Sequence, residues 1–139
     1  MTVITQTIKV KSKGQDDIID ITEKASNGIE ESKLKNGIAT IFVSGSTAAL
    51  TTIEYEPGLL LDFPNMLERV APQNIEYGHE KMWHDGNGHS HVRASLVGPS
   101  LTIPFSNRSL LLGTWQQIVL LELDTRSRER NLVLQMVGE

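Results

Sequence analysis

The run Ile38-Ala-Thr-Ile-Phe-Val43 is rich in β-branched and aromatic residues. Residues of these types are enriched in strands, and a short continuous apolar run is typical of a strand that is covered on both faces. The run therefore predicts a central strand buried on both faces. The polar segment Ser44-Gly45-Ser46-Thr47 follows it, and a second strand is predicted over residues 50–55, joined to the first by a hairpin or a sharply bent crossover.

Further strands are predicted on both sides of this run. At the start of the chain, Ile4, Ile8 and Val10 alternate with threonine and lysine, which indicates a half-buried strand. Apolar patterns in the second half predict strands over residues 101–105, 115–123 and 132–137. Because consecutive strands of this kind usually pair antiparallel, we expect mostly antiparallel sheet structure.

Capping residues and apolar spacing predict three helices. The first begins with Thr22 as its N-cap and ends at Lys35-Asn36-Gly37. The second follows Pro57-Gly58, with Pro64 tolerable only in a first turn, and Ala71-Pro72 ends it. The third covers His89 to Val97, with Asn87 as N-cap and Gly98-Pro99 at its end. Residues 72–87 between the last two helices are predicted to be irregular.

The composition narrows the class of protein. A chain of 139 residues has the usual size of one domain, so a single domain over residues 1–139 is expected. It contains 0 Cys, which removes disulfides and thiolate zinc sites and fits a reducing compartment, with the cytoplasm as the expected location. The net charge of -4 does not favour binding to nucleic acid, which requires an excess of basic residues. No apolar run is long enough to cross a membrane.

The four histidines form the most informative cluster, because all of them fall between positions 79 and 91. Three of them, His84, His89 and His91, lie within eight residues and could bind zinc or share proton transfers. His89 and His91 differ by two positions, which separates them by roughly 160° on a helix, so both can ligate only if His89 precedes the first regular turn. The alternative is a polar loop whose histidines serve as caps and surface hydrogen-bond partners.

Other polar residues lie next to predicted strands. Glu54 is at the end of an apolar strand and Asp62 follows eight residues later, so each is a candidate for acid-base work or, alternatively, a solvated strand end and a helix N-cap. Two hydroxyl-rich breaks are able to present polar groups to an anion such as phosphate, although most such breaks are turns. Their candidate residues are Ser46, Thr47, Thr114 and Gln116. The basic residues Arg126, Arg128 and Arg130 favour a solvated hairpin tip over a phosphate site.

Two motifs resemble those of a known family. The stretch Gly86-Asn-Gly-His-Ser-His-Val-Arg-Ala-Ser-Leu-Val-Gly-Pro and the later Leu112-Gly-Thr-Trp-Gln-Gln-Ile are similar to the YjbQ-like family, described as secondary thiamine-phosphate synthases. The resemblance extends to Gly45-Ser-Thr-Ala-Ala-Leu-Thr-Thr-Ile-Glu54 and so covers nearly the whole chain. It implies a compact α+β fold built on a mostly antiparallel β-sandwich with flanking helices. It also implies a homotrimer with a site of histidines and acids near the subunit boundary.

The resemblance further implies a reaction and its residues. A pyrimidine methyl diphosphate is joined to a thiazole phosphate and diphosphate leaves, so the partner is a small phosphorylated molecule. Many relatives carry His-Thr-Ser where this chain has Gly45-Ser46-Thr47, and we expect His89 to replace the missing histidine. The implied catalytic residues are His84, His91, Glu54 and Asp62, and the implied metal ligands are His84, His89 and His91.

Zinc is the ion expected at those three histidines, whereas magnesium would enter together with the diphosphate substrate. Arg93 is expected to help stabilise the diphosphate group. The alternative from another class is a non-catalytic homotrimer that binds a metal or a small ligand. The apolar strand that contains Trp115, Ile118 and Leu120 is expected to contribute to the subunit interface.

Overall fold

Eight strands form two antiparallel sheets in the computed structural model, which describes residues 1–139. The strands are β1 (Thr2–Lys11), β2 (Asp17–Asp20), β3 (Gly37–Val43), β4 (Ala48–Glu54), β5 (Ser100–Ser106), β6 (Ser109–Leu110), β7 (Gln116–Glu122) and β8 (Glu129–Gly138). One sheet has five strands in the order β1-β8-β3-β5-β6, and the other has three in the order β2-β7-β4. Together with four helices they confirm the predicted α+β domain of mostly antiparallel sheets with flanking helices.

The core lies between the two sheets and is extended by helices. The inner face of the five-stranded sheet presents Ile41 and Leu134, which belong to one apolar cluster with Ile118 and Leu120 of β7. The opposite face of β7 packs in a second cluster with residues from α2 (Pro57–Val70) and α4 (Gly88–Val97). The central strand of the three-stranded sheet, β7, is therefore buried on both faces from Ile118 onward, whereas the five-stranded sheet is buried on one.

The β7 strand is thus covered within a single chain. Ile118 and Leu120 are 0% exposed, and their neighbours Val119 and Leu121 are equally buried on the other side. The prediction that this strand contributes to a subunit interface is wrong for these residues, because the helices supply the second layer that the sequence pattern did not reveal. Of the three residues named in the prediction, only Trp115, which directly precedes β7 and is 71% exposed, stays accessible.

The β3 strand differs from its prediction in the opposite sense. It is central, pairing with β8 on one side and β5 on the other. Its burial alternates, however, and Ile38 and Phe42 are 47% and 43% exposed on the outer face. The break at residues 44–47 then carries the chain from the five-stranded to the three-stranded sheet, so of the two predicted connections the crossover is the one that forms.

The first two helices begin and end at other residues than predicted. The α1 helix (Thr22–Ser32) has Ile21 at the N-cap position and Lys33, whose φ is 63°, at the C-cap position, while Gly37 already belongs to β3. In α2, Glu56 is the N-cap and accepts hydrogen bonds from two backbone N–H groups of the first turn. Pro64 therefore lies inside the helix, where its missing N–H breaks one turn-to-turn bond.

Three short elements arise where none was predicted, and one of them is β6, which pairs with β5. The β2 strand pairs with β7, and α3 (Gly78–Trp83) forms within residues 72–87. The α4 helix follows Asn87 and ends at Gly98 as predicted, although the Asn87 side chain does not cap it. None of the four helices has both the length and the apolar composition that crossing a membrane requires.

Candidate functional site

A sharp reversal of the chain between α3 and α4 brings the polar side chains of the two helices together. His84 follows α3 with a φ of 55°, Gly86 has a φ of 71°, and α4 begins two residues later. Oε1 of Glu80 accepts a hydrogen bond from the Gly88 backbone N–H at 2.6 Å, which ties the two helices together. A side chain at Gly88 would meet that carboxylate, so glycine permits the close approach.

The reversal places His79 of α3 beside His91 of α4. Their ring centroids are 4.3 Å apart, and both side chains are half-buried. Nε2 of His79 lies 3.0 Å from Oδ1 of Asp85, which stays 48% exposed. We refer to His79, Asp85, Asn87 and His91 as the paired-histidine cluster. It is the place where several groups able to carry protons meet at an open surface.

The amide of Asn87 connects the cluster to the interior. With its nitrogen on the Asp85 side, the amide donates to Oδ1 of Asp85 at 2.7 Å and lies 3.0 Å from Nε2 of His79. In the other orientation the nitrogen donates to Oδ1 of Asp124, 3.4 Å away. Because Asn87 is buried and directly precedes α4, its position fixes both the cluster and the start of that helix.

Behind Asn87 lies a buried network of charges. Nη2 of Arg130 donates to Glu122 and to Oγ1 of Thr47, and Thr47 in turn donates to Asp124. Arg128 donates to the same aspartate. Burial raises the pKa of Asp124, but the hydrogen bonds from Arg128, the Thr125 backbone and Thr47 outweigh it and hold this pKa well below its usual range.

This network corrects two predictions. Arg128 and Arg130 pair with the buried carboxylates of Asp124 and Glu122, so they are not part of a solvated hairpin tip, and of the three arginines only Arg126 is exposed. Thr47 is 3% exposed and bonded within the network, whereas its predicted partner Ser46 is exposed. Thr47 thus holds the start of β4 in place and does not face a ligand.

His89 lies away from the paired-histidine cluster. It is 1% exposed, and its Nε2 lies 3.0 Å from Oε1 of Gln15. Burial lowers the pKa of His89, and the charge of Arg93 lowers it further. Since α4 begins at Gly88, His89 already lies inside the helix and points roughly 160° away from His91.

The three histidines predicted to hold zinc therefore do not converge. His84 is exposed and lines a separate cleft of the α3 surface together with Tyr77, Glu80 and Lys81. Nowhere does the chain bring three histidine, aspartate or glutamate side chains into an arrangement that could hold a metal ion. The residues of one protomer thus do not fit a resident zinc site, and the replacement of a missing histidine by His89 stays a prediction.

Arg93 was expected to stabilise a diphosphate, yet it is 1% exposed and fully engaged. Its Nε donates to the Ala71 carbonyl at 2.9 Å, and its Nη2 donates to Glu68 at 2.6 Å. Nη1 lies 3.7 Å from Asp16. Arg93 therefore joins α4 to the end of α2 and has no free edge for a phosphate group.

The remaining candidates divide between two places. Asp62 is exposed in the middle of α2 and is neither an N-cap nor part of a cluster. Glu54 and Gln116 face each other across β4 and β7 and line one groove, which we call the Trp115 groove. Its five lining residues are Thr52, Ile53, Glu54, Trp115 and Gln116, and Thr114 is exposed beside it. No histidine lines this groove.

Sequence reasoning missed His79, Asp85 and Asn87 as site residues. The signal was the restriction of all four histidines to residues 79–91, but the missing information was the reversal that pairs the first of them with the last. Gly86, in a segment predicted to be irregular, was the local indication of that reversal.

Comparisons with known proteins agree with the fold. The family described as "UPF0047 protein YjbQ-like" matches residues 6–139. A UPF0047 protein of Methanothermobacter thermautotrophicus is 40% identical over 139 residues, covering 100% of this chain and 95% of its own length. YugU of Bacillus subtilis is 32% identical, covering 96% of this chain and 98% of its own. A crystal structure from Sulfolobus solfataricus, described as a YbjQ-like protein of unknown function, has a TM-score of 0.92 at 34% identity and covers 99% of each chain.

Proposed function

Because the chain belongs to the UPF0047 YjbQ-like family, we propose that it is a transferase of the thiamine-phosphate synthase type. In this reaction the bond between the pyrimidine methylene carbon and the diphosphate oxygen breaks, and its electron pair leaves with the diphosphate. The thiazole nitrogen supplies the lone pair for the new carbon–nitrogen bond. The proposal rests on the resemblance of the two sequence motifs and on the chemistry of the paired-histidine cluster.

The observation that carries the proposal is the contact between His79 and His91 at an open surface, with Asp85 at 3.0 Å from one ring. Imidazole donors suit a leaving diphosphate, because its negative charge grows as the carbon–oxygen bond breaks. The His79 ring faces Asp85 through Nε2, which leaves its Nδ1 side for a phosphate oxygen of the substrate. His91, at the first turn of α4, supplies the second donor.

A divalent cation enters this proposal with the substrate. The buried arginines Arg93 and Arg130 are each paired with a carboxylate, so they do not neutralise a diphosphate. Magnesium is usually bound through phosphates and water, so it would arrive as part of the diphosphate substrate. Metal analysis of the purified protein tests this proposal, and zinc bound at one ion per chain would contradict it.

Turnover of the two substrates by single variants tests the site. We expect His79→Ala and His91→Ala to lower the rate of diphosphate release by about 100-fold or more, the usual size of a general acid contribution. The His84→Ala variant distinguishes the site predicted from the sequence from the paired-histidine cluster. If His84 is catalytic, the variant should lose diphosphate release, whereas if the paired-histidine cluster is the site, its rate should stay near that of the parent. Circular dichroism and urea unfolding verify that each variant is folded.

The opposite results would contradict the proposal in a recognisable way. If His91→Ala turns over as the parent does, the cluster is not the reaction site. If the parent itself releases no diphosphate but binds the pyrimidine diphosphate in calorimetry, the non-catalytic small-ligand-binding homotrimer becomes the better description.

We further propose that the homotrimer forms through the outer face of the five-stranded sheet. The strand register aligns three rows of side chains on this face, and none of the twelve is charged. The rows are Val3, Val137, Ile38 and Pro104; then Thr5, Gln135, Thr40 and Thr102; then Thr7, Val133, Phe42 and Ser100. The charged residues of this face, Lys9, Lys11 and Glu129, lie in the next rows at one end of β1 and β8. An uncharged patch with exposed Val3, Ile38 and Phe42 is typical of a surface that a partner subunit covers.

A further inference from the structure

The Trp115 groove is lined by an exposed aromatic ring and a carboxylate. Trp115 is 71% exposed, although large aromatic side chains are usually well buried. It lines a groove of about 290 Å³ together with Glu54. Glu54 takes part in none of the ion pairs of the chain, so its charge is available to a ligand.

Local hydrogen bonds hold the floor of the groove in place. Oε1 of Gln116 accepts from the Gly113 backbone N–H at 3.0 Å, which closes the turn that carries Trp115. Nε2 of the same side chain donates to Oγ1 of Thr52 at 3.0 Å, which ties the turn to β4. The register then sets Glu54 opposite Gln116. Glu54 therefore sits at the end of β4, and Trp115 lies in a turn that the Gln116 side chain holds against β4.

The groove continues toward the open edge between the two sheets. Thr52 and Gln116 also line a neighbouring depression whose apolar walls are Leu50, Val97, Leu101 and Ile103. A ligand that stacks on Trp115 thus has an adjoining apolar surface for a substituent. The combined lining offers one negative charge, one aromatic face and no positively charged side chain.

These three properties select one ligand chemistry. The face of a tryptophan ring attracts cations, and a nearby carboxylate adds a direct charge interaction. A flat ring stacks on indole with more contact than a compact ammonium ion. We propose that the Trp115 groove binds a flat, permanently cationic heteroaromatic ring, with Trp115 stacked on the ring and Glu54 facing its charge.

This inference concerns a different part of the surface from the paired-histidine cluster and does not depend on turnover. The proposed function enters only in the choice of one probe, because the reaction would produce a thiazolium cation. A second probe, 1-methylpyridinium, belongs to the same chemical class without that link. The groove and the reaction are therefore tested separately, and either proposal stands if the other fails.

Tryptophan fluorescence tests the groove with a matched internal reference. The chain has two tryptophans, Trp83 at 72% and Trp115 at 71% exposure. The Trp83→Phe variant reports on Trp115 alone, and Trp115→Phe leaves Trp83 to report collisional quenching at the same exposure. Titration compares 3,4-dimethylthiazolium and 1-methylpyridinium with neutral 4-methylthiazole.

We expect a saturable change of Trp115 emission with both cations and about tenfold weaker binding of the neutral ring. Glu54→Gln in the Trp83→Phe background should weaken cation binding roughly three- to fivefold and leave the neutral ring unaffected. The matched control is Glu31→Gln, an exposed residue of α1 that does not line the groove.

Several results would overturn the inference. Equal affinity for the cationic and neutral rings, or unchanged cation binding in Glu54→Gln, would show that the positive charge of the ligand does not contribute to binding. If quenching rises linearly with ligand concentration and is equal for Trp83 and Trp115, the quenching is collisional and the groove does not bind the ligand. Poor quenching of Trp115 by acrylamide means that a second copy of the chain covers the groove in solution.

Discussion

Replacing Glu122 by glutamine is expected to lower the free energy of unfolding by about 3–5 kcal/mol, because it leaves a buried guanidinium without its counter-charge. The Glu122 side chain is 0% exposed and that of Arg130 is 7% exposed. Nε and Nη2 of Arg130 donate to the two carboxylate oxygens, and Ser12 donates to the first of them at 2.7 Å. In the amide, one oxygen becomes an NH₂ group that faces the donors of Arg130.

A double-mutant cycle separates the pair from its surroundings. Arg130→Met should cost about as much as Glu122→Gln, because it leaves the carboxylate buried without the guanidinium. The double variant should lose less than the sum of the single losses, by about 2 kcal/mol or more, since no lone charge is left behind. Urea unfolding at pH 7, followed by circular dichroism, measures each value.

The Glu30–Arg108 pair provides the control. Its atoms are 4.0 Å apart and both side chains are about half exposed or more, so Glu30→Gln should change the free energy of unfolding by at most about 0.5 kcal/mol. The reasoning is refuted if Glu122→Gln also loses less than about 1 kcal/mol, because the buried pair would then behave like a surface pair.

Two further predictions concern His89 and the outer face of the five-stranded sheet. Burial lowers the pKa of His89 below 6.5, so the unfolded chain takes up its proton first and stability should fall below that pH, by at most about 1.4 kcal/mol per unit from this residue. His89→Gln should reduce the fall in urea unfolding between pH 7 and 5.5, and equal slopes would contradict the argument. Phe42→Lys should convert a trimeric parent into monomers in light scattering, whereas Thr125→Lys, outside the sheets, should not. A monomeric parent or a trimeric Phe42→Lys would rule out that interface.

Local sequence pattern predicted the strands where alternation was strong. Leu101, Ile103 and Phe105 alternate over one strand, and the structure places Ile103 and Phe105 in the core. The β2 strand was missed because Asp17–Asp20 holds only two apolar residues between two acids, and its place depends on pairing with distant β7. The burial of β7 on both faces likewise depends on helices that are remote in the sequence.

The site was less accessible to sequence reasoning than the fold. Helix geometry allows His89 and His91 to share a metal only if His89 precedes the first regular turn. Because α4 begins at Gly88, His89 lies inside the helix and this condition is not met. Pairing of His79 with His91 needed the left-handed backbone at His84 and Gly86, which is not encoded by a periodic pattern. The engagement of Arg93 and Arg130 by carboxylates required knowledge of contacts between distant segments.

The position of β8 has a consequence for how the chain is made. This strand is inserted between β1 and β3, so it supplies hydrogen bonds to both of them. A ribosome adds residues 129–138 only after every other strand has been synthesised. Until then the edges of β1 and β3 remain unpaired, and the five-stranded sheet cannot close. Folding of the nascent chain is therefore completed after these residues leave the exit tunnel, and in the meantime the open edges are candidates for capture by a chaperone.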